Sequence, residues 1–183
     1  MSELRTNRIV PRDGIPSGAS GGGIIQVVFV EKSDASSLTS NSTPQLIPGL
    51  SATITPTRSD SKILVQVVFH ASIGGNYAGH YIVLRRGSTD INIGDAAGSR
   101  VRGSLALQTA TFWDDNSGAN YSMGQASLNF LDSPATTSAT TYGLYHADAD
   151  GTNALYVNRS RNDSDSNNYI RLASTITLME VSG

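Results

Sequence analysis

The sequence predicts an all-β protein, an antiparallel β-sandwich, on three observations. Of its 183 residues, 41 are Ser or Thr, 18 are Gly and 12 are Asn, while lysine occurs only at Lys32 and Lys62. Such a chain is poor in helix formers and rich in strand and turn residues. Apolar residues recur with the period of two that suits a half-buried strand, and clusters of Gly, Pro, Asn and Asp separate the runs. A chain of this length buries roughly 70% of its unfolded surface, so one core holds it without staples.

The strands follow in order. Ile24-Ile25-Gln26-Val27-Val28-Phe29-Val30 is a continuous apolar run and is expected as a buried strand, ended by Lys32-Ser33-Asp34. Leu50 to Thr55 alternates between Pro48-Gly49 and Pro56. Lys62 to Ile73 is the strongest element: Ile63, Val65, Val67, Phe69, Ala71 and Ile73 make one wholly apolar face, with Gln66, His70 and Ser72 on the other. Tyr81 to Arg85 and a short Ile91-Asn92-Ile93 come next. Val101, Gly103, Leu105 and Leu107 alternate with polar residues, although 96–110 is also the one stretch where a short helix is expected to compete. Gly124 to Phe130 runs into Leu131-Asp132-Ser133-Pro134, Tyr142 to His146 follows, and Asp148-Ala149-Asp150-Gly151 turns the chain into Leu155-Tyr156-Val157. A polar loop over 159–168 leads to the last alternation, Ile170, Leu172, Ile176 and Leu178. This gives nine or ten strands.

Residues 1–23 are patterned differently. Leu4, Ile9, Val10 and Ile15 are scattered among Arg5, Arg8, Arg12, Pro11 and Pro16, and the stretch closes on Ser17-Gly18-Ala19-Ser20-Gly21-Gly22-Gly23. No period folds those four aliphatics onto a domain core. We expect an extended anchoring arm with a Gly-rich linker over 1–23 and a β-sandwich domain over 24–183.

Composition narrows the function. A net charge of −2 gives no general attraction to nucleic acid or an anionic membrane. No apolar run reaches the ~18 residues of a membrane helix, and the first residues have no apolar core of a secretory signal. The absence of cysteine removes disulfides, thiolate metal sites and Cys nucleophiles. His70, His80 and His146 match no local metal motif and are expected to be satisfied structural residues. Asp163, Asp165 and Asn167 have the opening spacing of a calcium loop, but Ser174 stands where the bidentate Glu belongs, so they read as a solvated turn, as do Asp148 and Asp150. Arg85, Arg86, Arg100 and Arg102 are expected to pair with local carboxylates. No catalytic residue, metal or cofactor is expected.

Four stretches carry a resemblance to a known family: Ser2-Glu3-Leu4-Arg5-Thr6-Asn7-Arg8-Ile9, Gly22-Gly23-Ile24-Ile25-Gln26-Val27-Val28, Phe130-Leu131-Asp132-Ser133-Pro134 with Thr136 to Tyr142, and Ser174 to Val181. In these the chain resembles small virion structural proteins of tailed bacteriophages, those of aquatic bacteria in particular. The resemblance implies a non-enzymatic virion component, synthesised in the host bacterial cytoplasm, that is tail-fibre-like or receptor-facing. The alternative is a capsid cement protein stabilising the phage head. The expected sandwich is of jelly-roll type, resembling tumour-necrosis-factor-like trimers.

Partners follow from these expectations. Tyr81 and Val83 oppose Ile82 and Leu84, and Leu64 and Val68 oppose Ile63 and Val65, so two strands are apolar on both faces and a neighbouring copy, in a homotrimer, is expected to cover the surplus. The arm residues Leu4, Ile9, Val10 and Ile15 are expected to grip another virion protein. A host surface glycan or protein is expected at the loops around Trp113, Asp114 and Asn116, and around Asn162, Asn167 and Tyr169, where aromatic rings sit among amides and carboxylates.

Overall fold

A computed structural model of the chain describes residues 23–39, 41–74, 79–107 and 121–182. These form β1 (Ile24–Lys32), β2 (Ser36–Leu38), β3 (Gln45–Ile54), β4 (Lys62–Ile73), β5 (His80–Arg86), β6 (Thr89–Ile91), β7 (Leu105–Ala106), β8 (Gly124–Asp132), β9 (Thr140–Asp148), β10 (Leu155–Val157) and β11 (Ser174–Val181). All the pairings are antiparallel.

Two sheets enclose one core. The first, sheet A, runs β1-β11-β4-β10-β2, with β8 on the other edge of β4; the second, sheet B, runs β3-β9-β5-β6, with β7 beside β5. β4 is the spine of sheet A because its alternation is unbroken. Along one edge it pairs β11 and then β10, and along the other it pairs β8 from Ile63 to Ala71. Its inward side chains Ile63, Val65, Val67, Phe69, Ala71 and Ile73 are all buried, as the alternation predicts. They meet Ile47, Leu50, Ile54, Ile82, Leu84 and Leu144 of sheet B in the same core. Each of these side chains larger than Ala71 contributes roughly 1.5–3 kcal/mol by leaving water.

Polar groups tie the two sheets at their ends. Asp132 ends β8 as a buried acceptor: the Tyr142 hydroxyl of β9 donates to Oδ2 at 2.6 Å, and Arg86 of β5 donates to both carboxylate oxygens at 2.8 Å. Burial, then the bond to Asp132, pushes the Tyr142 phenol far above its usual range. At another edge Glu180 of β11 is fully buried. It accepts from Gln26 Nε2 at 2.6 Å and from the backbone N and hydroxyl of Thr57 at 2.7 Å, tying β1 and β11 to the chain between β3 and β4. Burial raises its pKa, but these donors outweigh burial and hold it at about 2; Ser61 adds to the lowering although its hydroxyl meets no strict hydrogen-bond geometry.

The structure departs from the sequence expectations in five places. β1 is a strand but not a buried one: it lies at the edge of sheet A with Val27 55% and Phe29 57% exposed, because only Val28 and Val30 face the core. β3 begins earlier than Leu50; its register shifts between Leu46 and Ser51, and Gly49 there adopts φ +81°, which admits Pro48 to a strand at an irregularity. Of the stretch 96–110, residues 96–107 are not helical and 108–110 lie outside the described residues. Residues 96–107 hold a turn closed by Arg100 N to Ala97 O at 3.3 Å, then β7. Ile170 and Leu172 stand outside β11 and are exposed. Val83, expected to need a neighbour, is 1% exposed within the single chain.

Candidate functional site

The segment between β10 and β11 is a closed loop, and the sequence dictates its neck. Asn158 follows β10 with φ +60°, a left-handed conformation that Asn tolerates better than other non-glycine residues. Its buried carboxamide donates to the carbonyls of Lys32 at 2.6 Å and Asp34 at 3.1 Å, and accepts from Ser174 Oγ at 2.6 Å. Its carbonyl accepts from Leu172 N at 3.1 Å, and Arg159 and Arg171 form an isolated bridge just beyond. The two ends of the loop are therefore fixed to sheet A.

Within the loop the charges are neutralised locally. Asp163 forms ion pairs with Arg171 and, at 3.9 Å, with Arg159. Arg159 also lies over the Tyr156 ring at 4.3 Å and donates to the carbonyls of Ser160 and Arg161. Asp163, expected in a solvated turn, thus faces two guanidinium groups. Among the described residues no group of three or more His, Cys, Asp or Glu side chains is placed to hold a metal.

What the loop presents outward is aromatic and amide. Asn162 Nδ2 donates to the Tyr169 hydroxyl at 3.0 Å, so two of the predicted residues are in direct contact. Tyr169 stacks on Tyr121 with centroids 5.1 Å apart and planes 20° from parallel. Tyr121 is exposed, and the neighbouring Tyr169 pushes its phenol above the ordinary range. Asn167 is also exposed, farther along the same loop. A paired aromatic plate beside carboxamides has the chemistry to stack on an apolar sugar face and hydrogen-bond its hydroxyls. Sequence reasoning did not select Tyr121, Tyr156 or Arg159; the readable signal was that aromatic residues flank both this loop and the segment preceding β8. Trp113, Asp114 and Asn116 of the expected receptor tip lie outside the described residues, as do the arm residues Leu4, Ile9, Val10 and Ile15.

The histidines serve the scaffold. His70 bonds Ala173 O through Nδ1 at 2.7 Å and approaches Gln125 Oε1 at 3.3 Å through Nε2, fixing the loop's exit to β4. His80 of β5 and His146 of β9 lie diagonally, since His80 pairs with Asp148 and His146 with Ile82; their rings stack at 5.1 Å, and a single hydrogen bond of 2.8 Å joins Nδ1 of the first to Nε2 of the second. The expectation of full satisfaction fails at one atom, because buried His80 Nε2 has no hydrogen-bond partner among the described residues. Burial lowers the pKa of both rings, that of His146 to about 4. Nearby Asp148 is fully buried, not in a solvated turn. It accepts from the backbone N–H of Asp150, Thr152 and Asn153; burial raises its pKa, yet those bonds and the charge of His80 bring it below the usual value.

The arginine expectation holds for one pair. Arg85 meets Asp90 at 2.6 Å and Arg86 meets Asp132. Arg100 and Arg102 instead donate to the carbonyls of Ala97 and Gly94.

No family model matches this chain, and no curated protein matches it.

Proposed function

We propose that this chain is a non-enzymatic structural protein of a tailed-bacteriophage virion, receptor-facing in the manner of a tail fibre. It is joined to the particle by residues 1–23 and assembled as a homotrimer. The observation that carries the receptor-facing part is the loop plate of Tyr121, Tyr169 and Asn162, an aromatic and amide surface held on a rigid neck. Function on loops positioned by a rigid sheet scaffold is the common arrangement.

The jelly-roll reading draws support from the pairing order. Of eight main strands taken in chain order, β1 pairs β11, β3 pairs β9, β4 pairs β8 and β5 pairs β7. First with eighth, second with seventh, third with sixth and fourth with fifth is the pattern of one long hairpin rolled into two sheets.

The alternative role, a capsid cement, draws on the exposed apolar residues of β1 and β8, which suit a clamp against a larger surface. Host-cell binding by the isolated domain, lost on Tyr169→Ala, is the result expected for the receptor-facing role. Loss of head stability on deleting the gene would instead place the protein in the cement role. The arm is tested separately: a protein starting at Ile24 should fold and assemble but fail to join particles, and full incorporation of that truncated protein would refute the anchoring role.

A further inference from the structure

A cleft of about 320 Å³ opens at the end of the sandwich where β8 runs out, lined by Arg86, Pro134, Thr136, Ala139, Thr140 and Thr141. Asp132 pairs Ile63 at one end of β4, whereas Asn158 of the aromatic loop bonds the His70 carbonyl near the other, so the cleft is a separate site. Among the described residues that line it, Arg86 alone is charged. Its guanidinium spends a single nitrogen on Asp132: Nη1 donates to both carboxylate oxygens at 2.8 Å, and Oδ2 also accepts from Tyr142. An arginine fully committed to that carboxylate would present it a fork of two nitrogens. Here the Nε–Nη2 edge, the side that fits two coplanar oxygens, has no acceptor of hydrogen-bond geometry among the described residues. The threonines of the cleft are half committed. Thr136 Oγ1 accepts from Ser138 N at 3.0 Å, which leaves its own proton to give. Thr140 Oγ1 donates to the Ser138 carbonyl at 3.0 Å, which leaves its lone pairs to accept. The loop holds this arrangement at some cost, since Ala135, between Pro134 and Thr136, has φ +52°, uncommon for a residue with a Cβ.

We propose that this cleft binds a sugar acid, its carboxylate on the Nε–Nη2 fork of Arg86 and its hydroxyls on Thr136 and Thr140. Two features favour this class over a simple anion. Arg86 and Asp132 together carry no net charge, so the cleft lacks the excess of positive charge that gathers phosphate or sulfate. It offers a flat, directional fork instead, which a carboxylate matches. A carboxylate alone would also leave the threonine hydroxyls and the apolar walls of Pro134 and Ala139 unused, whereas a pyranose acid brings hydroxyls to the first and a C–H face to the second. The volume, at the lower end of ligand clefts, admits one such ring. A ligand this small, held by one fork in an open cleft, should bind with a Kd of about 1 mM. The same chemistry is offered by a free sugar acid and by a residue within an acidic polysaccharide. The proposal is independent of the virion reading and does not involve the tyrosine plate.

Calorimetric titration of the full chain with sodium glucuronate tests it, beside acetate, which carries the carboxylate alone, and glucose, which carries the hydroxyls alone. Glucuronate should bind saturably, and acetate and glucose should each bind at least about tenfold more weakly. Arg86→Lys keeps a charge for Asp132 but lacks the fork, and should weaken glucuronate about tenfold. Ala139→Phe, at an exposed position, fills the cleft while leaving the Asp132 pair in place. It should abolish binding with circular dichroism and the melting temperature unchanged. No saturable binding of glucuronate by the wild type overturns the proposal, as does binding that Ala139→Phe leaves intact. Acetate binding as tightly as glucuronate overturns the hydroxyl contacts and with them the sugar acid. Polygalacturonate then separates the two sources, and either result supports the cleft: a site for a residue within a chain binds the polymer as well as the monomer, and a site for the free acid binds the monomer alone.

Discussion

The two outer faces of this protein begin from the same kind of sequence and end differently. On sheet A, Val27, Met179, Leu64 and Leu131 form a cross-strand row. On sheet B, Leu46, Tyr145 and Val83 form the corresponding one. The first stays open. The second is covered by its own chain around Val83, although Leu46 at its end stays 41% exposed: the Arg85 guanidinium lies 4.5 Å over the Tyr145 ring and is held there by Asp90 at 2.6 Å. Leu46 crowds in over Gly143, where a Cβ would meet Leu46 Cδ1 at 3.1 Å. Val83 consequently retains 1% of its exposure. Two apolar faces on one strand therefore do not by themselves call for a partner. A long aromatic side chain with a cation over it can supply the cover locally, since both carry apolar bodies that lie flat on a sheet.

The largest test of this contrast is Val83→Asp. An unpaired carboxylate in that covered position should cost about 3–5 kcal/mol and unfold much of the protein at ambient temperature. Urea denaturation followed by tryptophan fluorescence or circular dichroism measures it. A cost below about 1 kcal/mol would mean that the cover over sheet B opens freely, and the contrast between the faces would vanish.

What was readable in advance follows from the same physics. β4 was legible to the residue, because all six inward positions are apolar while Lys62, Gln66, His70 and Ser72 mark the other face as the polar one, which leaves only one register. β1 was legible as a strand but not as an edge, since a run apolar on both sides gives no sign of which side is covered. β2 was invisible: Ser36-Ser37-Leu38 has no pattern of its own and is a strand only because β10 pairs it. Asp148 looked like a turn residue and Asp132 like the polar end of a strand; their burial depends on donors distant in sequence, Arg86 and Tyr142 for Asp132, or on backbone N–H groups just ahead for Asp148. At the candidate site, Asn162 and Tyr169 were recognisable by residue type. The Tyr121 stack was not, because it joins residues 48 apart whose proximity only the fold determines.

Acid should separate the two sheets in sequence. His146 lies on sheet B beside His80, with Asp148 and Asp150 near by, and burial lowers its pKa to about 4 from 6.5. The unfolded chain therefore binds the proton more readily. The stability that neutral His146 contributes is complete above pH 6.5 and is lost as pH falls toward 4, a loss of up to about 3 kcal/mol at roughly 1.4 kcal/mol per pKa unit. Glu180, tying β1 and β11 of sheet A, is held at about 2 against 4.5 unfolded, so its contribution persists through that first window and fades only between pH 4.5 and 2. Thermal unfolding across pH should fall in two stages, and His146→Phe should remove the first. A single stage below pH 4.5 in the wild type would show that the histidine pair carries no such coupling.

The smallest expected effect belongs to the open face and is the most discriminating. Phe29 is 57% exposed, so Phe29→Asp gives up a partly buried ring and a good strand former and should cost the single chain a constant ~1–2 kcal/mol. If a second copy covers that position, the effect must depend on protein concentration. Association stabilises the folded state by mass action, so the wild-type urea midpoint should rise as concentration is raised, while the midpoint of Phe29→Asp should stay fixed. At nanomolar concentration, below association, the two curves should differ only by that constant cost. Curves that differ equally at every concentration would mean that Phe29 contributes only within the chain, and that the face of sheet A is covered much as that of sheet B is.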